Sequence, residues 1–267
     1  MTLRGAIGTR RRRRDVGRAR MEGARGALLA DGSLAADDRE LLARMDITVD
    51  PRDAMHAGNP LHYLSVGLSA MHAIQAAGVT QPRRILDLPC GHGRVLRALS
   101  AAFPDAEVTA SDLDRHGVDF CERQFAARPL YSSEDLDALE LPGDFDLIWC
   151  GSLATHLDEE ATRALLLKLC GALALGGTLV ITTHGDFVAD RIARGDETYQ
   201  LDETGVERVL AGYRASGFGY ADYPWSPGYG VSVATPFRMG ELAPLPLMHV
   251  AERGWDDHQD VLAFSAA

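Results

Sequence analysis

The chain has 267 residues, 46% of them hydrophobic and 24% charged, with a formal net charge of −11. One α/β domain of the larger kind accommodates that length, and the longest apolar stretches, about ten residues, fall short of the ~20 that a membrane-crossing helix needs. Eight arginines against Asp15 put +7 on residues 1–20 and leave −18 on the remainder, where Lys168 is the only lysine. So acidic a body excludes a nucleic-acid groove, which needs dense basic charge against phosphates.

Residues 1–30, with the run Arg10 to Arg14, show no apolar periodicity and read as a flexible Arg-rich extension without a function. No apolar segment follows the arginines, so a secretory leader is not expected. Cys90, Cys121, Cys150 and Cys170 form no C-x-x-C pair; neither a zinc knuckle nor a disulfide framework is indicated, and a reducing cytoplasm is the expected setting. Residues 31–80 read as a helical cap. Its first helix runs over Ser33–Met45; its second starts at Asn59-Pro60, a cap residue followed by proline at the first helical position, and ends at Gly78. Leu61, Leu64, Leu68, Met71 and Gln75 fall on one face of that second helix.

From Arg84 short apolar runs alternate with helical periodicity. Strands are expected at Ile85–Leu88, Ala106–Ala110, up to Leu130-Tyr131, at Phe145–Cys150 and at Thr178–Thr183, with Asp158 capping a helix. Helices between consecutive strands imply a parallel sheet covered on both faces, with its ligand beyond the strands' carboxyl ends. After a long insertion, about residues 186–235, containing a helix near Glu203–Arg214 and a hairpin over Gly217–Ala234, a short helix opens at Thr235-Pro236. Two strands follow, at Leu245–Glu252 and Gln259–Phe264. Residues 81–267 are thus one domain carrying an insertion.

The clearest site is Asp87-Leu-Pro-Cys-Gly-His-Gly93, a strand-to-helix turn whose glycines let a ligand approach the backbone. Asp112, at the tip of the second strand, can accept both ribose hydroxyl protons of an adenosine. A dinucleotide site would want a third glycine where Leu96 stands, and Asp87 would repel a pyrophosphate. The same acid suits a cationic ligand with an amino acid tail.

Taken in order, Asp87-x-x-x-Gly91-x-Gly93, Asp112, Phe145-Asp-Leu-Ile-Trp and Leu175-Gly-Gly-Thr-Leu-Val resemble the motifs of class I S-adenosylmethionine-dependent methyltransferases of the small-molecule type. The resemblance covers residues 80–185 well and the last strands loosely. It implies a doubly wound, Rossmann-like α/β sheet of seven strands, S-adenosylmethionine as cofactor, and a small-molecule O or N acceptor. By the resemblance, Asp87, Gly91 and Gly93, with Pro89 and Cys90 between, hold the methionyl portion, Pro89 standing where the family often has glycine and removing one N–H. Asp112 takes the ribose, Leu113 the adenine face and Glu134 the adenine amino group, while Cys150, Gly151 and Ser152 lie beside the sulfonium.

His156 follows the fourth strand where the family faces its acceptor, and its ordinary pKa near 6.5 suits a general base. His184, after the fifth strand, is the second candidate. His258 reads as structural at the sheet's far end, and His92 as a solvent-side residue. Asp158 is a helix cap rather than a ligand and no H-x-H spacing occurs, so no metal is expected. Half of the eighteen aromatics fall in residues 187–237 and read as a substrate lid, with Trp225 and Tyr229, joined by Tyr63 of the cap, as acceptor contacts. The other readings are a nicotinamide-dependent oxidoreductase and a non-catalytic module that binds S-adenosylmethionine; neither nucleic acid nor membrane is an expected partner.

Overall fold

The computed structural model describes residues 3–56, 58–136 and 138–265, with side chains from residue 16 onward. Three helices lead: α1 (Leu3–Ala30), α2 (Ala36–Arg44) and α3 (Pro60–Ala76). There follow β1 (Arg84–Asp87), α4 (Leu96–Ala102), β2 (Glu107–Asp112), α5 (Arg115–Phe125), β3 (Arg128–Tyr131) and β4 (Phe145–Cys150). A 3-10 turn (Leu153–His156) leads to α6 (Glu159–Gly171) and β5 (Leu173–Thr183). The insertion comprises α7 (Asp186–Arg194), α8 (Glu203–Ser216) and a hairpin, β6 (Phe218–Tyr223) with β7 (Ser226–Ala234). The chain closes with α9 (Pro236–Leu242), β8 (Leu247–Trp255) and β9 (Gln259–Ser265).

Seven strands form one sheet in the order β3-β2-β1-β4-β5-β9-β8, the first five parallel and β9 antiparallel to both its neighbours. The period of two along each central strand divides its side chains between two cores. Ile85, Leu147, Trp149 and Val180 face the layer of α3, α4 and α5, while Leu86, Ile148, Leu179 and Ile181 face α6 and α9. Burial on both faces explains why these strands read as continuous apolar runs. The cap docks beside the far edge: Trp255 Nε1 donates to Val66 O at 3.1 Å, and Asp256 N to Ser69 Oγ at 2.8 Å. Asn59 caps α3 by accepting from His62 N, as its sequence implies. Among the described residues no helix is long and apolar enough to cross a membrane.

Two expectations are corrected. Residues 1–30 are not a flexible extension: α1 spans Leu3–Ala30, and Met21 is fully buried with Ala24 beside it in the core. Met21, Ala24 and Leu28 recur at helical spacing as a narrow apolar stripe, and Arg39 closes the helix end by donating to Leu29 O at 2.6 Å and Asp31 O at 2.7 Å. The side chains of the arginine run lie outside the described residues. On α3, Leu61 and Gln75 are exposed, because the helix is wedged between α1 and the sheet and buries Tyr63, Val66 and Ile74 instead. Helix α7 adds to the helix and hairpin expected in the insertion, which has a core of its own around Val188, Ile192, Val209 and Val233.

Candidate active site

The turn after β1 is held by backbone bonds: Cys90 N donates to Ser111 O and Gly93 N to Cys90 O, each at 2.9 Å. Gly91 (φ +51°) and Gly93 (φ +78°) take left-handed conformations that a side chain rarely adopts. A Cβ on Gly93 would stand 2.6 Å from the Phe125 ring, whereas one on Gly91 would meet nothing within 4 Å, so the backbone is bare on that side. Asp112 is hooked onto the turn. Its Oδ2 accepts from Gly91 N at 2.7 Å and its Oδ1 from Asp114 N at 2.8 Å. Gly117, in the first turn of α5, was not singled out by the sequence; its Cβ would lie 2.3 Å from Gly91 O, so only glycine lets α5 come this close.

Asp87 ends β1 at 1% exposure, and neither carboxylate oxygen has a hydrogen-bond partner among the described residues. Burial, and then the neighbouring Asp112, push its pKa well above the usual carboxylate range. The Arg94 charge, and less so the Leu96 amide, act the other way, neither within hydrogen-bond geometry. A buried, unpaired acceptor is costly, and a donor-bearing or cationic ligand relieves it. Cys90 and Cys150 are buried free thiols: Cys90 is held protonated by the neighbouring Cys121 thiol and by burial, Cys150 by burial and the nearby Asp87. Pro89 follows a cis Leu88–Pro89 bond within the turn. Leu113 and Glu134 are exposed beyond β2 and β3.

At the end of β4, a Cβ on Gly151 would stand 2.9 Å from Trp149 Nε1. Ser152 (φ +64°) donates its N–H to Thr182 Oγ1 at 2.8 Å, and Thr182 Oγ1 in turn donates to Gln259 Oε1 at 2.5 Å. Gln259 Nε2 closes the loop by donating to Ser152 Oγ at 2.9 Å. Gln259 belongs to the far end of the chain and carried no signal in the sequence.

The hairpin lies over the ends of β4 and β5: Ser232 Oγ donates to Ala154 O at 2.6 Å, and Ala234 N to His184 O at 2.8 Å. His156 is stacked on Tyr229 (4.7 Å, 22°), with Nδ1 2.9 Å from Gly230 O. That carbonyl makes Nδ1 the protonated nitrogen and leaves the Nε2 lone pair for a proton. Burial lowers the pKa of His156. His184 is buried, its Nδ1 3.2 Å from Ser232 O, and burial followed by His258 and His156 lowers its pKa to about 3.

The structure relocates three residues. His258 is not at the sheet's far end: β9 pairs with β5, so the β8–β9 turn brings His258 within 5.7 Å of the His184 ring, with Tyr199 beside both. Tyr63 is 1% exposed, its hydroxyl donating to Asp53 Oδ2 at 2.5 Å and accepting from Arg97 Nη2 at 3.2 Å. It is therefore committed to the cap's interior rather than to an acceptor. His92 is buried, not solvent-side, with Nε2 3.1 Å from His116 Nδ1. Asp158 caps α6 as expected, accepting from Ala161 N at 2.8 Å.

Residues 85–177 match the family model of a methyltransferase domain. The chain carries a class I S-adenosylmethionine-dependent methyltransferase domain. The methyltransferase domain is 29% identical over 125 residues to a malonyl-[acyl-carrier protein] O-methyltransferase of Anoxybacillus flavithermus, covering 46% of this chain and 48% of that protein. It is 28% identical to a ubiquinone biosynthesis O-methyltransferase of Methylococcus capsulatus, over 58% and 60% of the two chains. The chain spans about half the length of the curated relatives it matches. A solved S-adenosylmethionine-dependent methyltransferase from Clostridium acetobutylicum shares the fold at a TM-score of 0.53 and 12% identity, covering 80% of this chain and 95% of that one. The family match takes in the glycine turn after β1 and His156 but stops before His184, the insertion and Gln259.

Proposed function

We propose that this chain transfers a methyl group from S-adenosylmethionine to an oxygen or nitrogen of a small-molecule acceptor in the cytoplasm. The observation that carries the reading is Asp87: a buried carboxylate without a partner, beside a glycine turn whose Gly91 offers bare backbone. These residues fit a ligand with a cationic amino acid tail. Asp87 and the Gly91–Gly93 turn, with Pro89 and Cys90, would bind the methionyl portion. Asp112, already fixed by two backbone N–H groups, keeps lone pairs for the ribose hydroxyls, and Leu113 and Glu134 would serve the adenine. Cys150, Gly151 and Ser152 would border the reacting centre. When bound, the cofactor supplies a methyl already activated by its positive sulfur, so alignment provides most of the acceleration.

The chain's remaining work is to orient the acceptor, exclude water and accept a proton. His156 takes that proton at Nε2 where the acceptor atom carries one, with the Gly230 carbonyl holding its tautomer. Trp225 and Tyr229, on the hairpin over β4 and β5, cover the acceptor as a lid. A nicotinamide dinucleotide is disfavoured by the unpaired Asp87 and by Leu96, fully buried where a third glycine would stand.

Calorimetry with S-adenosylhomocysteine tests the reading. Asp87→Asn keeps the shape and removes the charge, and the loss of charge-assisted bonds worth about 1.5–3 kcal/mol weakens binding roughly 10- to 100-fold. Equal affinity in the folded variant, or tight binding of a nicotinamide dinucleotide by the native chain, would refute it. Binding without methyl transfer to any acceptor in a small-molecule extract would leave a non-catalytic module.

A further inference from the structure

Asp50, His92 and His116 come from three separate stretches, the loop after α2, the glycine turn and the first turn of α5. Yet one ligand atom from each lies within 4.8 Å of the others. His92 Nε2 is 3.1 Å from His116 Nδ1, His116 Nε2 is 3.7 Å from Asp50 Oδ2, and Asp114 Oδ2 stands 3.9 Å from His92 Nε2. Asp50 is 4% exposed and His92 8%. His116 lends one of its two nitrogens, and with metal–ligand bonds of about 2.0–2.1 Å a tetrahedral ion sets its donors roughly 3.3–3.5 Å apart, a spacing that three donors within 4.8 Å of one another reach by side-chain rotation.

We propose that Asp50, His92 and His116 hold a divalent ion of the zinc class, with solvent completing its coordination and the Asp114 carboxylate beside His92 adding charge. Each donor is already steadied by a bond of its own. Asp50 Oδ1 accepts from Arg52 N at 2.9 Å, Asp114 Oδ1 accepts from His116 N at 3.0 Å, and His92 rides on the turn fixed by Gly93 N. Such outer bonds orient metal ligands and sharpen their affinity. His116 sits where the positive end of α5 opposes a cation, and the two carboxylates offset it. A set of two imidazoles and one carboxylate selects Zn²⁺, Co²⁺ or Ni²⁺ over Mg²⁺ and Ca²⁺, which take oxygen ligands. The expectation of no metal rested on the lack of close histidine spacing, but these ligands are brought together only by the fold. An ion here would pin the cap to the cofactor turn, and the site does not depend on the reading of methyl transfer.

The test is calorimetric titration of Zn²⁺ into the untagged, chelator-stripped full chain, repeated with Mg²⁺. One Zn²⁺ binds per chain and Mg²⁺ does not compete. His116→Ala and Asp50→Asn, shown folded by circular dichroism, each weaken Zn²⁺ by more than the ~10–100-fold that loss of an outer partner costs. His72→Ala, which removes the unrelated pair of His72 with Asp38 at 2.7 Å, leaves it unchanged. Co²⁺ gives visible bands that vanish in His116→Ala, so this variant decides the matter even if Asp50→Asn does not fold. No Zn²⁺ binding, binding unaltered in His116→Ala, or binding abolished by His72→Ala overturns the proposal.

Discussion

At the scale of single residues, the histidines over β4 and β5 differ in ways that pH reveals. Burial holds the pKa of His156 below its ordinary 6.5, so its Nε2 is free at neutral pH and transfer slows only on the acid side. His156→Gln slows transfer by about 10²–10⁴ and removes that acid limb, with cofactor affinity unchanged; a fully active variant means that the acceptor needs no base there. His184 reports on stability instead. Its folded pKa of about 3 lies below the 6.5 of the unfolded chain, so the unfolded state takes up a proton that the folded state refuses. Its contribution is full above pH 6.5 and is lost as pH falls toward 3, at up to about 1.4 kcal/mol per pH unit. Urea unfolding at pH 7 and pH 5 then shows the native chain losing about 2 kcal/mol more than His184→Asn, an equal loss in both placing the titration elsewhere. Asp87 and the two glycines were legible in the sequence because one turn fixes their spacing, and Asp112 because it ends the next strand. Gln259, Gly117 and Asp50 were not: each acts on a partner distant in the chain, and no local pattern records that.

At the scale of elements, amphipathic spacing carried most of the reading, and α1 shows where it fails. Arginines mask a stripe of only a few apolar residues, so the sequence alone does not reveal a helix whose Met21 is fully buried. Met21→Ala costs ~2–5 kcal/mol in chemical unfolding, as for a buried methionine truncated in a core. Val16→Ala, on the same helix but 57% exposed, stays within ~0.5 kcal/mol; equal small effects would mean that α1 does not dock. The hairpin answers the opposite question. Trp225 is 63% exposed and stacked on Tyr223 (5.2 Å, 5°), outside the insertion's own core. Trp225→Ala therefore spares melting temperature and S-adenosylhomocysteine affinity while raising the acceptor's KM. Loss of stability and cofactor binding together would return the aromatics to hairpin packing.

At the scale of the whole molecule, the sheet and its two cores follow from the alternation of strand and helix that the sequence spells from Arg84 to Thr183. The position of the last strand does not follow from alternation. Thr178 pairs with Ser265 and Thr183 with Asp260, so β9 enters the sheet between β5 and β8. On the ribosome this order imposes a wait. β5 is made with one flank unpaired while residues 184–258 emerge, and an exposed strand edge is a template for wrong partners. Such long-range pairing is slow to form and leaves a partly built chain prone to aggregation. Gln259 adds a second cost to the delay, since Thr182 and Ser152 gain their shared partner only when β9 docks. The nascent protein thus has its glycine turn long before the ends of β4 and β5 gain their last partner, and its synthesis depends on whatever shields β5 in the interval.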